Sequence, residues 1–546
     1  MRKLPLAHAL LYALKDYGAR EIFGIPGDFA LPFFKEIERT RILPLHTLSH
    51  EPAVGFAADA TARYRSSLGV AAVTYGAGAL NMVNATALAY AEKSPVVVVS
   101  AAPGTAEGQF GLGLHHQVKH LASQYLVYRE VTCAQAILDD AASAPAKIAR
   151  VLTAARELSR PVYLELPRDM VATEVDPVPP YAETPADLET TRAVATEILA
   201  RIESAKAPAL LLCVEVRRYG LEQKVTRLAR RLAIPTATTF MARGILAGSE
   251  APLIGTYLGL AGDAKIRETI EGSDALLMLG VILCDTNFGV SDKLIDRGHS
   301  MLAFDRSVRI GQDIYPDVPL PALVDELLEI AKPLGKAERS FKPDPPRGLV
   351  RDGAPIAPED IARAVNDLFA EKGRMPIASD MGDCLFTAMD FGYTELVAPA
   401  YYATMGTGVP MGLALQIASG QRPLIVVGDG AFQMTGFELG NAQRLRLNPI
   451  VLLFNNTAWG MLKVFQSDTS YNDLDDWRFA EMAGPLGGNG RRVATRAALW
   501  DALLAAEADK SSWHLIEIMI PRNAYSGTLT RFVEAAKKRS VSAKGA

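Results

Sequence analysis

The chain has 546 residues, a charged fraction of 22%, a hydrophobic fraction of 49% and a formal net charge of −4 at pH 7. This composition is typical of a globular protein and excludes a disordered chain. The scattered charges of both signs favour neither a nucleic-acid-binding face nor a polybasic membrane patch, so we expect no nucleic acid and no membrane among its partners. Because one hydrophobic core rarely serves so long a chain, we expect about three domains.

The amino terminus, MRKLPLAHALLYALKDYG, mixes basic and apolar residues. Lys15 and Asp16 interrupt the apolar stretch and no small-residue cleavage site follows, so we predict an amphipathic first helix rather than a signal peptide. The sequence contains no run of about 18 uncharged apolar residues, so we expect no membrane span. The four cysteines form no CxxC pair, which indicates buried thiols in a reducing cytoplasm and predicts a cytoplasmic location.

Short apolar runs alternate with helical patterns almost from end to end. In chain order the runs are EIFGIP, RILPLHT, GVAAVTY, PVVVVSA, PVYLEL, APALLLCVEV, IPTATTF, DALLMLGV, MLAFD, MPIASD, PLIVVGDG, PIVLLFNN and HLIEIMI. Strands this apolar on both faces are typical of parallel sheets covered by helices. The pattern therefore predicts an α/β protein with three successive doubly wound, parallel-sheet domains.

Two proline-rich stretches divide this pattern. One lies near residues 176–189 and the other near residues 342–355, and both have the composition of exposed linkers. We therefore predict an N-terminal domain over residues 1–180, a central domain over 190–340 and a C-terminal domain over 355–546.

A glycine-rich segment follows one of the last strands. Gly428, Asp429 and Gly430 directly follow the run PLIVV, and Asn455 and Asn456 directly follow the next strand-like run, PIVLLF. In a parallel sheet these positions fall at neighbouring carboxyl ends, where α/β folds bind ligands. A carboxylate, an amide oxygen and a turn carbonyl suit Mg²⁺, and glycines let the backbone approach a phosphate. The alternative is a strand-to-helix turn without a ligand.

The segment 428–430 with Asn455 and Asn456 resembles the thiamine-diphosphate motif shared by pyruvate decarboxylases, acetolactate synthases and their relatives. The resemblance implies the thiamine-diphosphate-binding fold, with Asp429, Asn456 and the carbonyl of Ala458 holding Mg²⁺. Many decarboxylases have glycine where this chain has Ala458, and a backbone ligand tolerates alanine if its φ is negative. The same motif implies cofactor contacts for Asp429, Asn456 and the two residues that follow the aspartate, Gly430 and Ala431.

Further positions match the family's cofactor site. Glu51, in SHEPAVGFAADATARY, resembles the glutamate that hydrogen-bonds the aminopyrimidine and so promotes formation of the thiazolium ylid. The stretch Ala403, Thr404 and Met405 resembles the segment whose backbone grips that ring, with Met405 as the apolar wedge. Asp383, in MGDCLF, matches a cofactor-contacting position. Without the resemblance, Glu51 is a first-turn helix acid, Met405 a core residue and Asp383 a capping carboxylate.

Two features bear on the reaction itself. Asp28 ends the first strand in GIPGD, and His115 and His116 are adjacent in GLHHQ, where both can titrate near neutral pH. An aspartate in GxPGD and a histidine pair recur together in pyruvate and indolepyruvate decarboxylases. That resemblance implies that Asp28, His115 and His116 move protons during decarboxylation. In isolation, the histidines would be interpreted as surface residues.

One position departs from the pyruvate decarboxylases, which carry a catalytic glutamate six residues after the second asparagine. Here the residue is Leu462, and no acid lies between Asn456 and Phe465. Asp285, in LCDTNFG, is a candidate substitute, and a turn-capping role is its alternative. Leu462 also gives a larger, less polar pocket, for which Met405, Phe465 and Phe532 are further candidates. Core packing is the alternative for each of the four.

Across nearly the whole chain the resemblance is to bacterial phenylpyruvate and indolepyruvate decarboxylases. We therefore predict the decarboxylation of an aromatic 2-oxo acid with thiamine diphosphate and Mg²⁺. In this family the cofactor lies between two subunits, which implies at least a homodimer and predicts a homotetramer. The alternatives are a branched-chain 2-oxo acid decarboxylase and an acetolactate-synthase-like carboligase. A nicotinamide-binding protein is disfavoured, because no GxGxxG opens a helix after a strand.

Overall fold

The computed structural model describes residues 3–107, 112–289, 297–335 and 344–542. Their contacts form two compact units. The first unit comprises Met1–Thr184, Val409–Gly420 and Thr435–Leu447, and the remaining residues form the second. The predicted bounds of the three domains stay a prediction. Among the described residues, no helix combines the length and the apolar character that crossing a membrane requires.

The N-terminal part of the chain builds a six-stranded sheet and a small two-stranded one. Its strands are β1 (Leu4–Pro5), β2 (Ile22–Gly24), β3 (Leu45–Thr47), β4 (Gly69–Val73), β5 (Val96–Ala102), β6 (Ala134–Ile137), β7 (Val162–Pro167) and β8 (Glu174–Val175). Its helices are α1 (Leu6–Asp16), α2 (Leu31–Thr40), α3 (Glu51–Arg65), α4 (Ala77–Asn81), α5 (Val83–Ala91), α6 (Ser123–Tyr128) and α7 (Ala144–Leu158). The large sheet has the order β3-β2-β4-β5-β7-β6 with parallel neighbours.

The central part builds a seven-stranded sheet in the order β11-β10-β9-β12-β13-β14-β15. Its strands are β9 (Pro208–Leu212), β10 (Thr236–Thr239), β11 (Leu253–Tyr257), β12 (Ala275–Leu279), β13 (Ser300–Phe304), β14 (Ser307–Ile310) and β15 (Asp313–Pro316). Its helices are α8 (Leu188–Ser204), α9 (Glu215–Arg218), α10 (Glu222–Leu232), α11 (Ala264–Glu271), α12 (Asp285–Phe288) and α13 (Leu320–Ile330). Strand β14 pairs antiparallel with both of its neighbours, β13 and β15, a departure from the wholly parallel sheet predicted.

The C-terminal part builds a parallel six-stranded sheet in the order β17-β16-β18-β19-β21-β20. Its strands are β16 (Ile377–Ser379), β17 (Leu396–Val397), β18 (Leu424–Gly428), β19 (Ile450–Asn455), β20 (Asn489–Val493) and β21 (His514–Met519). Its helices are α14 (Pro358–Lys372), α15 (Asp383–Ala388), α16 (Gly408–Ser419), α17 (Asp429–Thr435), α18 (Ala442–Leu445), α19 (Gly460–Lys463), α20 (Phe479–Met482), α21 (Arg496–Ala508) and α22 (Gly527–Ser542).

The inner strands are buried on both faces, as their sequences predict. Every residue of β4, β5 and β12 is buried, and in β18 only the final glycine is partly exposed. Apolar side chains above and below each sheet therefore pack against helices, and each large sheet has its own hydrophobic core. The predicted α/β class with doubly wound sheets is confirmed, and the polar loops fall at the strand ends.

Candidate active site

The three predicted metal ligands meet at the carboxyl ends of β18 and β19. These strands are parallel neighbours with Gly428 paired to Phe454, so Asp429 and Asn456 follow adjacent strands. The amide of Ala458 donates to Asp429 Oδ2 at 3.3 Å and to Asn456 Oδ1 at 3.1 Å. A carboxylate and an amide oxygen therefore lie together beside the backbone of Ala458, and oxygen ligands are those that Mg²⁺ prefers.

Asp429 is almost completely buried, with 3% of its surface exposed. Burial raises the pKa of its carboxyl to about 6, against the opposing effect of backbone N–H donors from Gly430 and Ala458. Among the residues that the structure describes, no lysine or arginine forms an ion pair with Asp429. A bound cation stabilises the ionised form of such a buried carboxylate, because the positive charge compensates for the solvation that is lost on burial. The donor set therefore fits Mg²⁺.

Backbone conformation explains why alanine is tolerated at 458. The left-handed conformation of this turn falls on Thr457, with φ of 51°, and Ala458 is not among the positive-φ residues of the described chain. Two glycines are constrained by neighbouring side chains. A Cβ on Gly430 would lie 2.4 Å from Trp459 Cδ1, and one on Gly460 would lie 2.5 Å from Asn456 Nδ2. Gly460, which the sequence analysis missed, leaves room for the Asn456 amide.

Asn455, the first asparagine of the pair, shapes the turn. Its Oδ1 accepts from the amide of Thr457 at 3.1 Å, and its Nδ2 donates to Glu517 at 2.7 Å. Glu517 is fully buried on β21 and also accepts from the amide of Ala480 at 2.8 Å. Sequence reasoning missed Glu517, because its partners lie far away along the chain.

A buried aspartate, Asp380, anchors the segment that carries Met405. Asp380 follows β16 and is fully buried, and it accepts from the amides of Gly406 at 3.0 Å and Gly408 at 2.6 Å. Burial raises the pKa of Asp380 to about 6, while these backbone donors act in the opposite direction. Ala403 in the same segment has φ of 58°. Sequence reasoning missed Asp380, although its position after an apolar strand matches that of Asp429.

Asp383, which the sequence analysis assigned to the cofactor, contacts the start of α22 in this structure. Its carboxylate accepts from the amide of Ser526 at 2.9 Å and from the Ser526 hydroxyl. Burial raises the pKa of Asp383 to about 6, and the Ser526 donors partly offset this effect. The visible role of Asp383 is therefore to fix α22, the helix that carries Phe532.

The four predicted pocket residues divide into two pairs. Met405 and Phe532 belong to one apolar cluster, in which the ring of Phe532 lies 5.4 Å from that of Phe386. Leu462 and Phe465 lie outside this cluster, with exposed fractions of 54% and 39%. On the same short segment, Met461 and Val464 face the cluster instead. The structure thus brings together Met405 and Phe532 and leaves Leu462 and Phe465 open to solvent.

Asp285 is the exposed first residue of α12. Its carboxylate accepts from the amide of Thr286 at 2.8 Å, which is the local bond expected of a helix-starting aspartate. The buried residue of this turn is Asn287, which donates to the carbonyl of Ile282 at 2.9 Å and accepts from the amide of Met241 at 3.1 Å. No described contact joins Asp285 to the other predicted catalytic residues.

In the first unit, Asp28 and the two histidines form a cluster. Asp28 opens a short 3₁₀ turn after β2, and its Oδ2 is hydrogen-bonded to Nε2 of His115. Nε2 of His116 lies 3.7 Å from the other carboxylate oxygen. Burial acts to raise the pKa of Asp28, but the His115 hydrogen bond and the two histidine charges outweigh it and lower the pKa. Asp28 therefore stays anionic at neutral pH.

The surroundings of the two imidazoles fix their positions. The ring of His115 stacks on Phe29, a buried residue next to Asp28. His116 has φ of 66°, and its carbonyl lies against Gly76, where a Cβ would approach within 2.2 Å. Gly76 itself has φ of 67°, so both steric and conformational reasons favour glycine there.

A buried hydrogen-bonded network supports Gly76 from beneath. Gln124 accepts from the Gly76 amide at 2.6 Å and donates to Ser100 at 2.9 Å and to the Tyr163 hydroxyl. That hydroxyl donates to Glu165 at 2.6 Å. Burial raises the pKa of Glu165 to about 7, and the Tyr163 hydrogen bond opposes the shift. The network links the turn under His116 to a buried carboxyl, and sequence reasoning did not detect it.

Glu51 is the first residue of α3, so its carboxylate lies at a helix amino terminus. Its Oε2 accepts from the Asn81 side chain at 2.8 Å. A Cβ on Gly78 would lie 3.6 Å from the other carboxylate oxygen, Oε1. This small neighbour leaves space at the carboxylate, as a group that bonds a ligand requires.

Comparisons with known proteins identify the family. The chain matches the N-terminal TPP binding domain of thiamine pyrophosphate enzymes over residues 5–125, the central domain over 195–330 and the C-terminal TPP binding domain over 380–518. Thiamine pyrophosphate and thiamine diphosphate are one compound. The chain therefore belongs to the thiamine pyrophosphate enzymes, as the sequence predicted.

The relatives agree with this assignment along the full chain. The chain is 60% identical to an indole-3-pyruvate decarboxylase of Azospirillum brasilense, over 98% of this chain and 99% of the relative. It is 28% identical to the alpha-keto-acid decarboxylases of Mycobacterium tuberculosis, over 94% of both chains, and of Mycobacterium ulcerans, over 94% and 93%. The prediction of a carboxy-lyase is confirmed.

Proposed function

We propose that this decarboxylase converts an aromatic 2-oxo acid, phenylpyruvate or indole-3-pyruvate, into the corresponding aldehyde and CO₂. The observation that carries the substrate class is Leu462, an apolar residue where pyruvate decarboxylases have an acid. A less polar pocket accommodates an aromatic side chain, and the name of the Azospirillum relative supports the same class. The apolar cluster with Met405 and Phe532 supplies further surface of this kind.

The proposal assigns the metal to the second unit. Asp429, Asn456 and the carbonyl of Ala458 hold Mg²⁺, which in turn neutralises the diphosphate of the cofactor. Gly430 and Ala431, the next residues of α17, contact the diphosphate. The hydrogen bonds from Ala458 to both oxygen ligands support this assignment, because they keep the turn and the two side chains in register.

The remaining cofactor contacts follow the family pattern. Glu51 hydrogen-bonds the aminopyrimidine, while Ala403 and Thr404 grip the ring through the backbone and Met405 wedges the cofactor. Asp383 contributes to the cofactor site from its position beside the start of α22, where it accepts a hydrogen bond from the amide of Ser526. Thiamine diphosphate, when bound, supplies the electron sink that accepts the electron pair left as CO₂ departs.

Asp28, His115 and His116 handle the protons. The lowered pKa of Asp28 keeps its carboxylate anionic, and the hydrogen bond between this carboxylate and His115 orients the imidazole ring. The three groups deliver a proton to the carbon that has lost CO₂ and later accept the hydroxyl proton as the aldehyde leaves.

Asp285 is proposed to replace the missing glutamate near the carboxylate of the substrate. Asp285 is exposed at the start of α12, so its carboxylate is accessible to a substrate, and Oδ1 accepts from the amide of Thr286. Asp285→Asn should then lower kcat more than it changes cofactor affinity. An unchanged kcat would leave Asp285 with its helix-starting role alone.

We further propose that the protein works in the cytoplasm. Its smallest active assembly is a homodimer, and the assembly that we expect is a homotetramer. Light scattering coupled to size-exclusion chromatography tests the assembly directly. A monomer that is fully active with bound cofactor would contradict it.

The decisive experiment for the function is a panel of 2-oxo acids with the products identified by mass. We expect free phenylacetaldehyde and indole-3-acetaldehyde with CO₂, and lower kcat/KM for pyruvate. Preference for branched aliphatic 2-oxo acids would favour the branched-chain alternative. A carbon–carbon-coupled acid would indicate a carboligase.

A further inference from the structure

The cluster of Asp28, His115 and His116 has the geometry of a metal site. One ligand atom from each residue lies within 4.8 Å of the other two. His115 Nε2 contacts Asp28 Oδ2 directly, and His116 Nε2 lies 3.7 Å from the other carboxylate oxygen, Oδ1. In tetrahedral zinc sites with bonds of about 2.0–2.2 Å, neighbouring ligand atoms are about 3.4 Å apart. The separation of His116 Nε2 from Asp28 Oδ1 is close to that value.

We propose that these three side chains bind a divalent transition-metal ion, with Zn²⁺ as the representative ion. Two imidazoles and one carboxylate are the donors that Zn²⁺ and Cu²⁺ favour, whereas Mg²⁺ prefers oxygen ligands in octahedral geometry. The site is therefore chemically distinct from the oxygen-rich cluster around Asp429.

The scaffold holds the ligands in place by packing. Stacking on Phe29 fixes the ring of His115, with the planes inclined by 16°. The backbone of His116 is held against Gly76, and Asp28 is fixed by its 3₁₀ turn. Ligands already positioned in this way lose little side-chain entropy when an ion binds.

The cluster is also open enough to receive a hydrated ion. The exposed side-chain fractions are 60% for His115, 44% for Asp28 and 33% for His116. Three protein ligands leave the fourth position of a tetrahedral ion to water. These exposures therefore provide both an entry path and room for the remaining ligand.

This metal site goes beyond the proposed function, and only its consequence rests on that function. If the same three groups move protons, an ion that occupies their nitrogen and oxygen atoms prevents proton transfer. Zn²⁺ should then inhibit decarboxylation, and a chelator should restore it. Binding of the ion itself does not depend on the proton-transfer role.

The test uses holoenzyme with thiamine diphosphate and saturating Mg²⁺, titrated calorimetrically with Zn²⁺. We expect one Zn²⁺ per chain at this site, and we expect Co²⁺ in its place to give the visible absorption of a tetrahedral nitrogen–oxygen site. His115→Gln and His116→Gln should each weaken Zn²⁺ binding about tenfold or more, since even loss of an outer partner costs about that much. His120→Gln, which removes an exposed histidine outside the cluster, should leave Zn²⁺ binding unchanged.

These measurements distinguish Zn²⁺ binding at the cluster from the inhibition of decarboxylation that binding should cause. Zn²⁺ affinity that survives the His115→Gln, His116→Gln double variant would overturn the metal site. Retained stabilisation of that variant by thiamine diphosphate and Mg²⁺ would show that it is folded, so a loss of Zn²⁺ binding can be assigned to the cluster. Zn²⁺ binding without loss of turnover would support the site and contradict the proton-transfer role of its three residues.

Discussion

The imidazole of His115 stacks face to face on the ring of Phe29, with centroids 4.6 Å apart. Phe29 directly follows Asp28 in the same 3₁₀ turn, so one turn supplies the carboxylate partner of His115 and the surface on which its ring rests. Stacking restrains rotation of the imidazole, whose Nε2 keeps its hydrogen bond to Asp28. Packing and chemistry at this position therefore depend on two consecutive residues.

Asp28→Asn tests the proton-transfer assignment. The amide keeps the shape of the side chain but removes the negative charge that contacts His115, so kcat should fall by about 10²–10⁴-fold. Thermal stabilisation by thiamine diphosphate and Mg²⁺ should be retained. Asp139→Asn, which removes an exposed partner of Lys147, serves as the control with normal turnover. Near-normal aldehyde formation by the Asp28 variant would refute the assignment.

Asp429→Ala tests the metal site. Removing the buried carboxylate deletes an oxygen ligand and two acceptor positions for backbone amides. The variant should lose stabilisation by Mg²⁺ with thiamine diphosphate in a thermal-shift experiment, in which the parent gains several degrees. Asp468→Ala changes an exposed residue in the loop after α19, outside the predicted ligand set. This control variant should be stabilised by Mg²⁺ and thiamine diphosphate as much as the parent is. A full cofactor response by the Asp429 variant would contradict the predicted ligand set.

Asp380→Asn tests the anchoring of the Met405 segment. Asparagine has one acceptor oxygen in place of two, so the amide of Gly406 or Gly408 loses its partner at a cost of about 1–3 kcal/mol. We expect a lower melting temperature and weaker binding of thiamine diphosphate in a titration followed by fluorescence. Asp360→Asn, a change in the helix-capping carboxylate of α14, should lower stability without the same loss of cofactor affinity.

Leu462→Glu tests the substrate assignment. The substitution restores an acid at the position where pyruvate decarboxylases have one, and the 54% exposure of Leu462 leaves room for it. The ratio of kcat/KM for pyruvate to that for phenylpyruvate should rise. Leu462→Gln, a polar change without charge, separates polarity from proton chemistry. An unchanged ratio in both variants would weaken the pocket argument.

Glu165 should make stability depend on pH. Its pKa is about 7 in the folded chain against an ordinary 4.5, so folding favours its protonated form. The stabilisation is complete below about pH 4.5 and is lost as the pH rises to about 7, to a limit of about 3 kcal/mol. Glu165→Gln should therefore raise the melting temperature at pH 8 and leave it nearly unchanged at pH 4.5. Parallel pH profiles of variant and parent would contradict the elevated pKa.

The predictability of the fold follows from strand burial. Every apolar run named from the sequence contains or overlaps a strand, because inner parallel strands are apolar on both faces. The missed strands include β6, β11, β15, β17 and β20, which lie at sheet edges. An edge strand has fewer neighbours to bury its side chains, so a continuous apolar run is not required there, although the edge strand β3 has one in RILPLHT. Strand β14 lies inside its sheet and was missed because its residues alternate between buried and partly exposed.

The predictability of the site follows from chain distance. Asp429 and Asn456 were predicted because each directly follows an apolar strand, and family resemblance indicated Asp28 and Glu51. Asp380 follows a strand in the same way and could have been found by that rule. Gln124 and Glu517 could not, because they act through partners many residues away that only folding brings together.

The polar edge of the C-terminal sheet has a further consequence for the behaviour of the chain at high concentration. Strand β20 has an exposed run of asparagine, glycine and two arginines, and Arg492 is paired with Asp476 at 2.5 Å. An edge strand with charged side chains resists the addition of a strand from another molecule. The polar sequence of β20 is the reason that it was not predicted as a strand. The same polarity should limit aggregation through this sheet edge when the chain is concentrated.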